Sequence, residues 1–378
     1  MKKVGILTLP PISNYGGIMQ NYALQYVLKT HGYYPITLER RKKTSKFKKF
    51  LLILKNQTIN RINGKYHFKP NEDQKIIINT NPSAFKKKYI NSSEEIFSSR
   101  ALREYILNNK IESVIVGSDQ IWRADYTNFL DDFFLEFLKD DSINSIAYAA
   151  SFGKDSINYS NNQIKKYSNC LSKFNLVSVR EDTGVEICNK YLHIKAELVL
   201  DPTMLLSKDE YLNNIDYSNI TKSTGVYYYI LDMNDNKKKL INKIAKIQNN
   251  LIFNCQPKSY PGSSTLVLES YIIPPIENWI MGFEQANFII TDSFHGTVFS
   301  IIFNKPFYTV VNKNKGASRF YSLLSSLGLL DRLIDFDDVN IDNIDLKMDI
   351  DFSYANEKIK CWRDFSINRL MDSLRYKI

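Results

Sequence analysis

Val4-Gly5-Ile6-Leu7-Thr8-Leu9 is followed by Pro10-Pro11-Ile12-Ser13-Asn14-Tyr15-Gly16-Gly17. Ile18 to Thr30 comes next, and after Gly32 the chain continues Tyr34-Pro35-Ile36-Thr37-Leu38. The first block is short and apolar and reads as a buried strand. Pro10 to Gly17 reads as a loop. Ile18, Met19, Tyr22, Ala23, Tyr26 and Val27 form one apolar stripe at helical spacing, and Gly32 ends that helix. Tyr34 to Leu38 is a second strand. A strand, a loop, a helix and a strand in this order begin a parallel α/β sheet.

The same alternation recurs down the chain. Strands are expected at Ser113–Val116, Ser145–Ala149, Leu176–Val179 and Glu197–Leu200, with helices near Ser93–Asn108 and Thr183–Tyr191. Between them, Arg40 to Lys49 is strongly basic and runs into Phe50-Leu51-Leu52-Ile53-Leu54. From there to about Ile90 the chain is rich in Lys and Asn and poorly periodic, which reads as an insertion at about 40–90. The stretch 207–224 is mostly polar and marks a domain boundary. Beyond it, strands are expected at Val226–Ile230, Leu251–Asn254, Phe288–Ile290 and Phe307–Val311. Helices are expected at Lys237–Asn249, Pro275–Gln285, Gly296–Phe303, Ser318–Ser326 and Tyr354–Arg375. The expected organisation is an N-terminal α/β domain over 1–206, a second α/β domain over 207–352 and a C-terminal helix over 353–378. Two such domains face one another across a cleft.

Composition agrees with this scale. At 378 residues the chain exceeds one ordinary core. Its net charge of +10 favours an anionic partner without choosing one. The four cysteines, Cys170, Cys188, Cys255 and Cys361, are scattered, so neither a zinc site nor a disulfide framework is indicated. No acidic cluster has metal-ligand spacing, and no metal is expected. The N-terminal apolar run is too short for a signal peptide and breaks at Pro10-Pro11, so it reads as the first strand. No stretch reaches the roughly 20 apolar residues of a membrane span. A cytoplasmic protein is expected. The basic run followed by an apolar one offers peripheral contact with an anionic membrane. The alternative is a solvated loop flanking a buried helix. The basic run lacks interleaved aromatic platforms, so nucleic acid is not the expected partner.

In a parallel sheet the strand carboxyl ends share one edge, where ligands bind. Sorting by this rule gathers Asn14, Gly16 and Gly17, then Ser118 and Asp119, then Arg180 on the first domain. It gathers Asp292, Ser293 and His295, then Lys313, Lys315 and Arg319 on the second. Lys305 precedes its strand and falls on the opposite edge. Gly16 and Gly17 open a helix, where a ligand can come close and free N–H groups favour an anion; the plain alternative is a strand–helix turn. No GxGxxG fingerprint is present, so a dinucleotide is not indicated. Asp119 could act as a base or cap a following helix. Arg180 could grip a carboxylate or phosphate, or pair locally with Glu181 and Asp182. Of the four histidines, only His295 stands at a strand–helix turn beside a serine, a setting for acid–base work. His31, His67 and His193 are assigned no role.

Several blocks carry a family resemblance: Asn14-Tyr15-Gly16-Gly17 with Gln20 and Tyr22-Ala23-Leu24, Val116-Gly117-Ser118-Asp119-Gln120-Ile121-Trp122, and Val179-Arg180-Glu181-Asp182. It continues through Leu200-Asp201-Pro202-Thr203, Thr291-Asp292-Ser293-Phe294-His295-Gly296 and Lys315-Gly316-Ala317-Ser318-Arg319-Phe320. In this order the chain resembles the polysaccharide pyruvyl transferase family. The resemblance implies two facing Rossmann-like domains of the glycosyltransferase-B type, the first serving the acceptor and the second the donor. It implies transfer of a pyruvyl group from phosphoenolpyruvate, a substrate rather than a cofactor, to hydroxyls of a sugar or lipid-linked oligosaccharide, giving a cyclic ketal. Such a sugar would be a precursor of a cell-surface or capsular polysaccharide. Arg180 and His295 match the family's arginine and histidine, and its lysine falls on Lys315 or Lys313. With Ser293 and Arg319, these residues would bind the donor. His295 would be the acid and Asp119 the base. Competing readings are a nucleotide-sugar glycosyltransferase of the same fold and a non-enzymatic glycan-binding protein.

Overall fold

The structure is a computed structural model that describes residues 1–10, 12–43, 68–127, 129–263, 265, 267–311, 317–335 and 346–375. Two parallel sheets organise it. The first has seven strands: β1 (Lys3–Leu7), β2 (Tyr34–Arg40), β3 (Ser92–Ile96), β4 (Ser113–Gly117), β5 (Asn144–Ala150), β6 (Leu176–Val179) and β7 (Glu197–Leu198). Their spatial order is β3-β2-β1-β4-β5-β6-β7. The chain therefore reverses direction across the sheet between β1 and β4, and ligands bind at such switch points. The second sheet is built from β8 (Gly225–Tyr229), β9 (Ile252–Phe253), β10 (Ala286–Thr291), β11 (Phe307–Val311) and β12 (Leu333–Asp335). Its order is β12-β11-β10-β8-β9, with the switch between β8 and β10.

The helices are α1 (Tyr15–Thr30), α2 (Glu72–Ile78), α3 (Thr80–Tyr89), α4 (Ser99–Asn108), α5 (Asn161–Leu171), α6 (Asp182–Leu192), α7 (Lys208–Asn214), α8 (Asp235–Gln248), α9 (Ile276–Gln285), α10 (Phe294–Ile302), α11 (Ser318–Ser326) and α12 (Ser353–Arg375). Helix α1 begins at Tyr15, three residues before its apolar stripe. Asn14 caps it by accepting from the Gly16 and Gly17 amides. Its stripe lies under the first sheet, and nearly every residue from Tyr15 to Leu28 is buried.

Three expectations need correction. The helix expected from Ser93 is a strand as far as Ile96, and α4 starts only at Ser99. Ser92-Ser93-Glu94-Glu95-Ile96 buries one residue because β3 is an edge strand, so it lacks an apolar signature. The described part of the 40–90 insertion is not irregular: α2 and α3 form the connection from β2 to β3. Asn71 and Gln74 close a capping box on α2. Phe85 and Tyr89 of α3 pack against Tyr22 of α1, with ring centroids 5.9 and 6.0 Å away. Finally, Arg40, which opens the basic run, is not a surface cation. It ends β2 and is buried, with Nε 2.7 Å from Asp132 and its guanidinium over Phe129. Residues 44–67, including the rest of the run and Phe50–Leu54, lie outside the described residues.

The stretch 207–224 opens with α7, capped by a Ser207–Glu210 box and anchored by buried Tyr211. Tyr211 links the halves. It lies 6.3 Å from Tyr22 of α1 and 5.1 Å from Phe299 of α10, ring to ring. One apolar core thus runs from α1 through Tyr211 to Trp279, Phe283 and Phe299. Helix α12 returns to the first half. Its Ser366 hydroxyl accepts from the Leu200 amide, the Ser373 carbonyl accepts from Asn144, and Arg369 pairs with Glu197. The four cysteines are free, Cys361 alone being exposed. Among the described residues no helix is long and apolar enough to cross a membrane.

Candidate active site

The segment Thr291–Gly296 is a strand–helix turn held by its own side chains. The Thr291 hydroxyl donates to the Tyr229 carbonyl, tying β10 to β8, and accepts from the Ser293 amide. Asp292 accepts from the Leu231 and Asp232 amides and pairs with Lys237 at 2.7 Å. Ser293 caps α10 by accepting from the Gly296 amide at 3.4 Å. A Cβ on Gly296 would overlap the Thr291 side chain, so only glycine permits this close return. Phe294 and His295 project from the first turn of α10.

His295 meets the first half of the chain. Its ring lies against Gly16, where any Cβ would overlap Nδ1, Cγ and Cε1. Its Nε2 is 3.7 Å from Oδ2 of Asp201, just beyond β7. That distance is longer than a hydrogen bond. Asp201 is buried and crowded with donors. Oδ2 accepts from Gln20 Nε2 at 2.6 Å and from Arg180 Nη1 at 2.7 Å. Oδ1 accepts from the Thr203 amide at 3.1 Å and the Thr203 hydroxyl at 2.7 Å. Burial by itself would raise the Asp201 carboxyl. The adjacent His295, the Arg180 charge and the Thr203 hydrogen bond outweigh it and hold the group well below the usual carboxylate range.

Two guanidiniums flank Phe294. Arg180, at the end of β6, lies 5.0 Å from the ring centroid, and Arg319, in the first turn of α11, lies 5.5 Å from it. Burial disfavours the Arg180 charge, but Asp201, Glu181 and Asp119 more than compensate and raise it. Arg319 is half-buried with its Nε turned inward and, among the described residues, without a hydrogen-bond partner. Burial and then the like charge of Arg180 push it down to about 10. The α11 and α6 ends also touch, the Ser322 hydroxyl donating to Asp182 at 2.8 Å.

Asp119 is half-buried after β4, and its charge acts on both guanidiniums. It accepts from the Gln120 amide at 2.7 Å within a turn, and no helix begins there for it to cap. Ser118 holds a left-handed backbone (φ 62) with a buried hydroxyl that has no partner. Gln20 Oε1, Arg180 Nε, Glu181 Oε2 and His295 Nε2 are likewise buried and unbonded. Of these, Arg180 Nε and Glu181 Oε2 face each other at 3.6 Å and His295 Nε2 faces Asp201 at 3.7 Å, so the site keeps polar capacity that its own contacts leave short of hydrogen bonds.

The structure therefore brings His295, Arg180, Arg319 and Asp119 together where the two halves of the chain meet. Gly16 and Gly17 stand there too, but their amides donate to Asn14, and Gly16 seats the histidine ring. Asn14 itself is exposed. Ser293 is committed to capping α10. Lys313 and Lys315 lie outside the described residues. Lys305 sits elsewhere, within the fields of Glu284 and Lys208. Reading the sequence missed Asp201, Gln20 and Phe294 as site residues. Asp201 had a usable signal, since Asp-Pro-Thr directly follows a strand on the ligand edge. Gln20, a polar residue inside an apolar helix, had a weaker one. Among the described residues no group of three or more His, Cys, Asp or Glu could hold a metal ion.

Two facing Rossmann-like domains built on parallel sheets give the chain a glycosyltransferase-B-like fold. The chain resembles the UDP-GlcNAc 2-epimerase of Methanocaldococcus jannaschii at a TM-score of 0.52 and 14% identity, with 100% of each chain covered. The S. aureus MnaA–UDP structure gives 0.50 and 13%, covering 100% of this chain and 96% of that one. At such identities the likeness is one of fold. A weaker one, 0.45 at 10% identity over 98% and 92% of the two chains, is to Arabidopsis thaliana UGT89C1 complexed with UDP-L-rhamnose. No curated protein matches the sequence significantly. The family model for polysaccharide pyruvyl transferase matches residues 14–314, and the chain belongs to that family.

Proposed function

We propose that the protein transfers the pyruvyl group of phosphoenolpyruvate to two hydroxyls of a sugar, forming a cyclic ketal and releasing phosphate. The acceptor is a sugar or lipid-linked oligosaccharide on the way to a cell-surface or capsular polysaccharide. The observation that carries this reading is the pair of guanidiniums on Phe294 beside the His295–Asp201 contact. A donor with a phosphate and a carboxylate needs several cations, and Arg319 offers one that, among the described residues, has no acid bound to it. Arg180 would bring a second cation, already paired with Asp201 and Glu181, and Lys315 would add a third.

His295 gives a proton to carbon 3 of the enol, leaving carbon 2 electrophilic. One sugar hydroxyl attacks carbon 2 and loses its proton to Asp119. The bond from carbon 2 to the phosphate oxygen breaks, and a second hydroxyl closes the ketal. Two sugar protons are released, one replaces the proton spent on carbon 3, and the other leaves with phosphate. A positioned general acid contributes about 10²–10⁴-fold, so His295→Ala should lower kcat by about that much at saturating phosphoenolpyruvate. The test is phosphate release from phosphoenolpyruvate with a panel of free and lipid-linked galactosides, mannosides and glucosides. Near-normal turnover in His295→Ala removes the acid assignment. Release of a nucleotide from a nucleotide sugar, with no phosphate from phosphoenolpyruvate, overturns the whole reading.

A further inference from the structure

The assigned acid stands in the first turn of α10, and its ring is set against the first half of the chain. The groups that face the ring are few. Gly16 contributes only backbone and Phe294 an edge-on ring at 5.4 Å. Gln20 is neutral. Glu181 is buried, but it engages the Phe152 amide and stands beside Arg180. Asp119 acts on the arginines. Among the described residues Asp201 alone presents a carboxylate oxygen to the ring, 3.7 Å from Nε2.

We infer that Asp201 is the positioning residue of this site, holding the proton on His295 and fixing Arg180 through the same oxygen. This rests on the assignment of His295 as the acid. The acid comes from the second half of the chain and its counter-charge from the first. The site is therefore complete only where the halves meet, and Gly16 leaves the room that lets them meet. The same oxygen accepts from Gln20 and Arg180, which anchor it so that the carboxylate cannot swing away. Asp201 touches no reacting atom in this scheme. It acts by setting the state and place of two residues that do.

The test uses the full chain and two variants that break the contact differently. Asp201→Asn removes the charge and leaves the shape. Gly16→Ala keeps every charged group, including the Asp201–Arg180 pair, and pushes the imidazole off its seat. Nuclear magnetic resonance of the His295 imidazole at fixed neutral pH reports its protonation without any substrate. Both variants should move that resonance toward the neutral form. Both should lower kcat about 10-fold or more and shift the alkaline limb of the kcat profile to lower pH. Gly16→Ala should leave the KM for phosphoenolpyruvate within about threefold, because the arginines are untouched. Asp201→Glu should restore part of kcat. If Asp201→Asn fails to fold, Gly16→Ala decides. An unmoved resonance and an unmoved pH profile in a folded variant, whatever its kcat, reduce Asp201 to a structural pin and overturn the inference. The resonance stands even if phosphoenolpyruvate proves not to be the donor, so the two failures are distinguishable.

Discussion

The two edges that form the cleft differ in how fully their charges are matched. On the first half, Arg180, Asp201, Gln20 and Thr203 form a closed hydrogen-bonded set around one carboxylate. On the second half, Arg319 has an inward Nε with no partner among the described residues, and burial and the charge of Arg180 push its guanidinium down to about 10. Both arginines lean on the same ring, 5.0 and 5.5 Å from its centre. Similar residues in nearly the same place therefore do different work. Arg180 is framework that also faces the ligand. Under the proposed function, Arg319 is the charge whose partner would arrive with the donor. A matched buried charge is costly to orphan, whereas an unmatched one weakens the fold until an anion binds.

The largest break in this comparison is Arg180→Met. It leaves Asp201 as a buried anion short of its main cation, and such half-pairs typically cost about 3–5 kcal/mol. Urea unfolding should register a loss of that order. Asp201, held low by His295 and then by Arg180, also sets an acid limb of stability. The folded carboxyl of Asp201 lies below its unfolded value near 4. Its contribution is thus complete above about pH 4 and is lost as the pH falls toward the folded value. In Arg180→Met that acid limb should flatten. A variant as stable as the parent would mean that the network is not framework.

The fold was more legible than this division of labour. Strand β11 and helix α11 fall where the sequence pattern puts them, because β11 is a short continuous run buried on both faces and the apolar positions of α11 recur at helical spacing. Edge strand β3 and helices α2 and α3 did not, since an edge strand and a thin amphipathic helix bury too few residues to leave a pattern. At the site, sorting by strand ends gathered His295, Arg180, Arg319 and Asp119, because topology alone fixes which edge a loop occupies. What topology cannot fix is partnership across the cleft. Asp201 and His295 are 94 residues apart, from 295 minus 201, and sit on different sheets. Nothing in either local sequence says that they meet, or that Gly16 is bare because an imidazole lies on it.

Arg319→Met should give the opposite pattern from Arg180→Met. Removing a charge that has no acid partner should leave stability within about 1 kcal/mol of the parent, or raise it. Binding should suffer instead. A charged hydrogen bond contributes about 1.5–3 kcal/mol, so the KM for phosphoenolpyruvate should rise about 10- to 100-fold. Steady-state kinetics beside urea unfolding checks both halves of the claim. If Arg319→Met destabilises the protein as much as Arg180→Met, the contrast between the edges is false.

The smallest effect belongs to Lys305, and it tests the rule by which the edges were drawn. Lys305 is only ten residues from His295 by number, 305 minus 295, and a basic residue so close invites a role in donor binding. It precedes β11, however, and in a parallel sheet that puts it on the edge away from the ligand. Burial there lowers its ammonium, Glu284 partly restores it, and Lys208, which pairs with Glu284 at 2.8 Å, opposes it again. Lys305→Met keeps most of the buried stem and discards a charge that burial already disfavours. Its stability should stay within about 0.5 kcal/mol of the parent and its kcat/KM within about twofold. A large loss of donor affinity in this variant would show that the ligand reaches the far edge of the second sheet, and the assignment of Arg319 as its cation would fall with it.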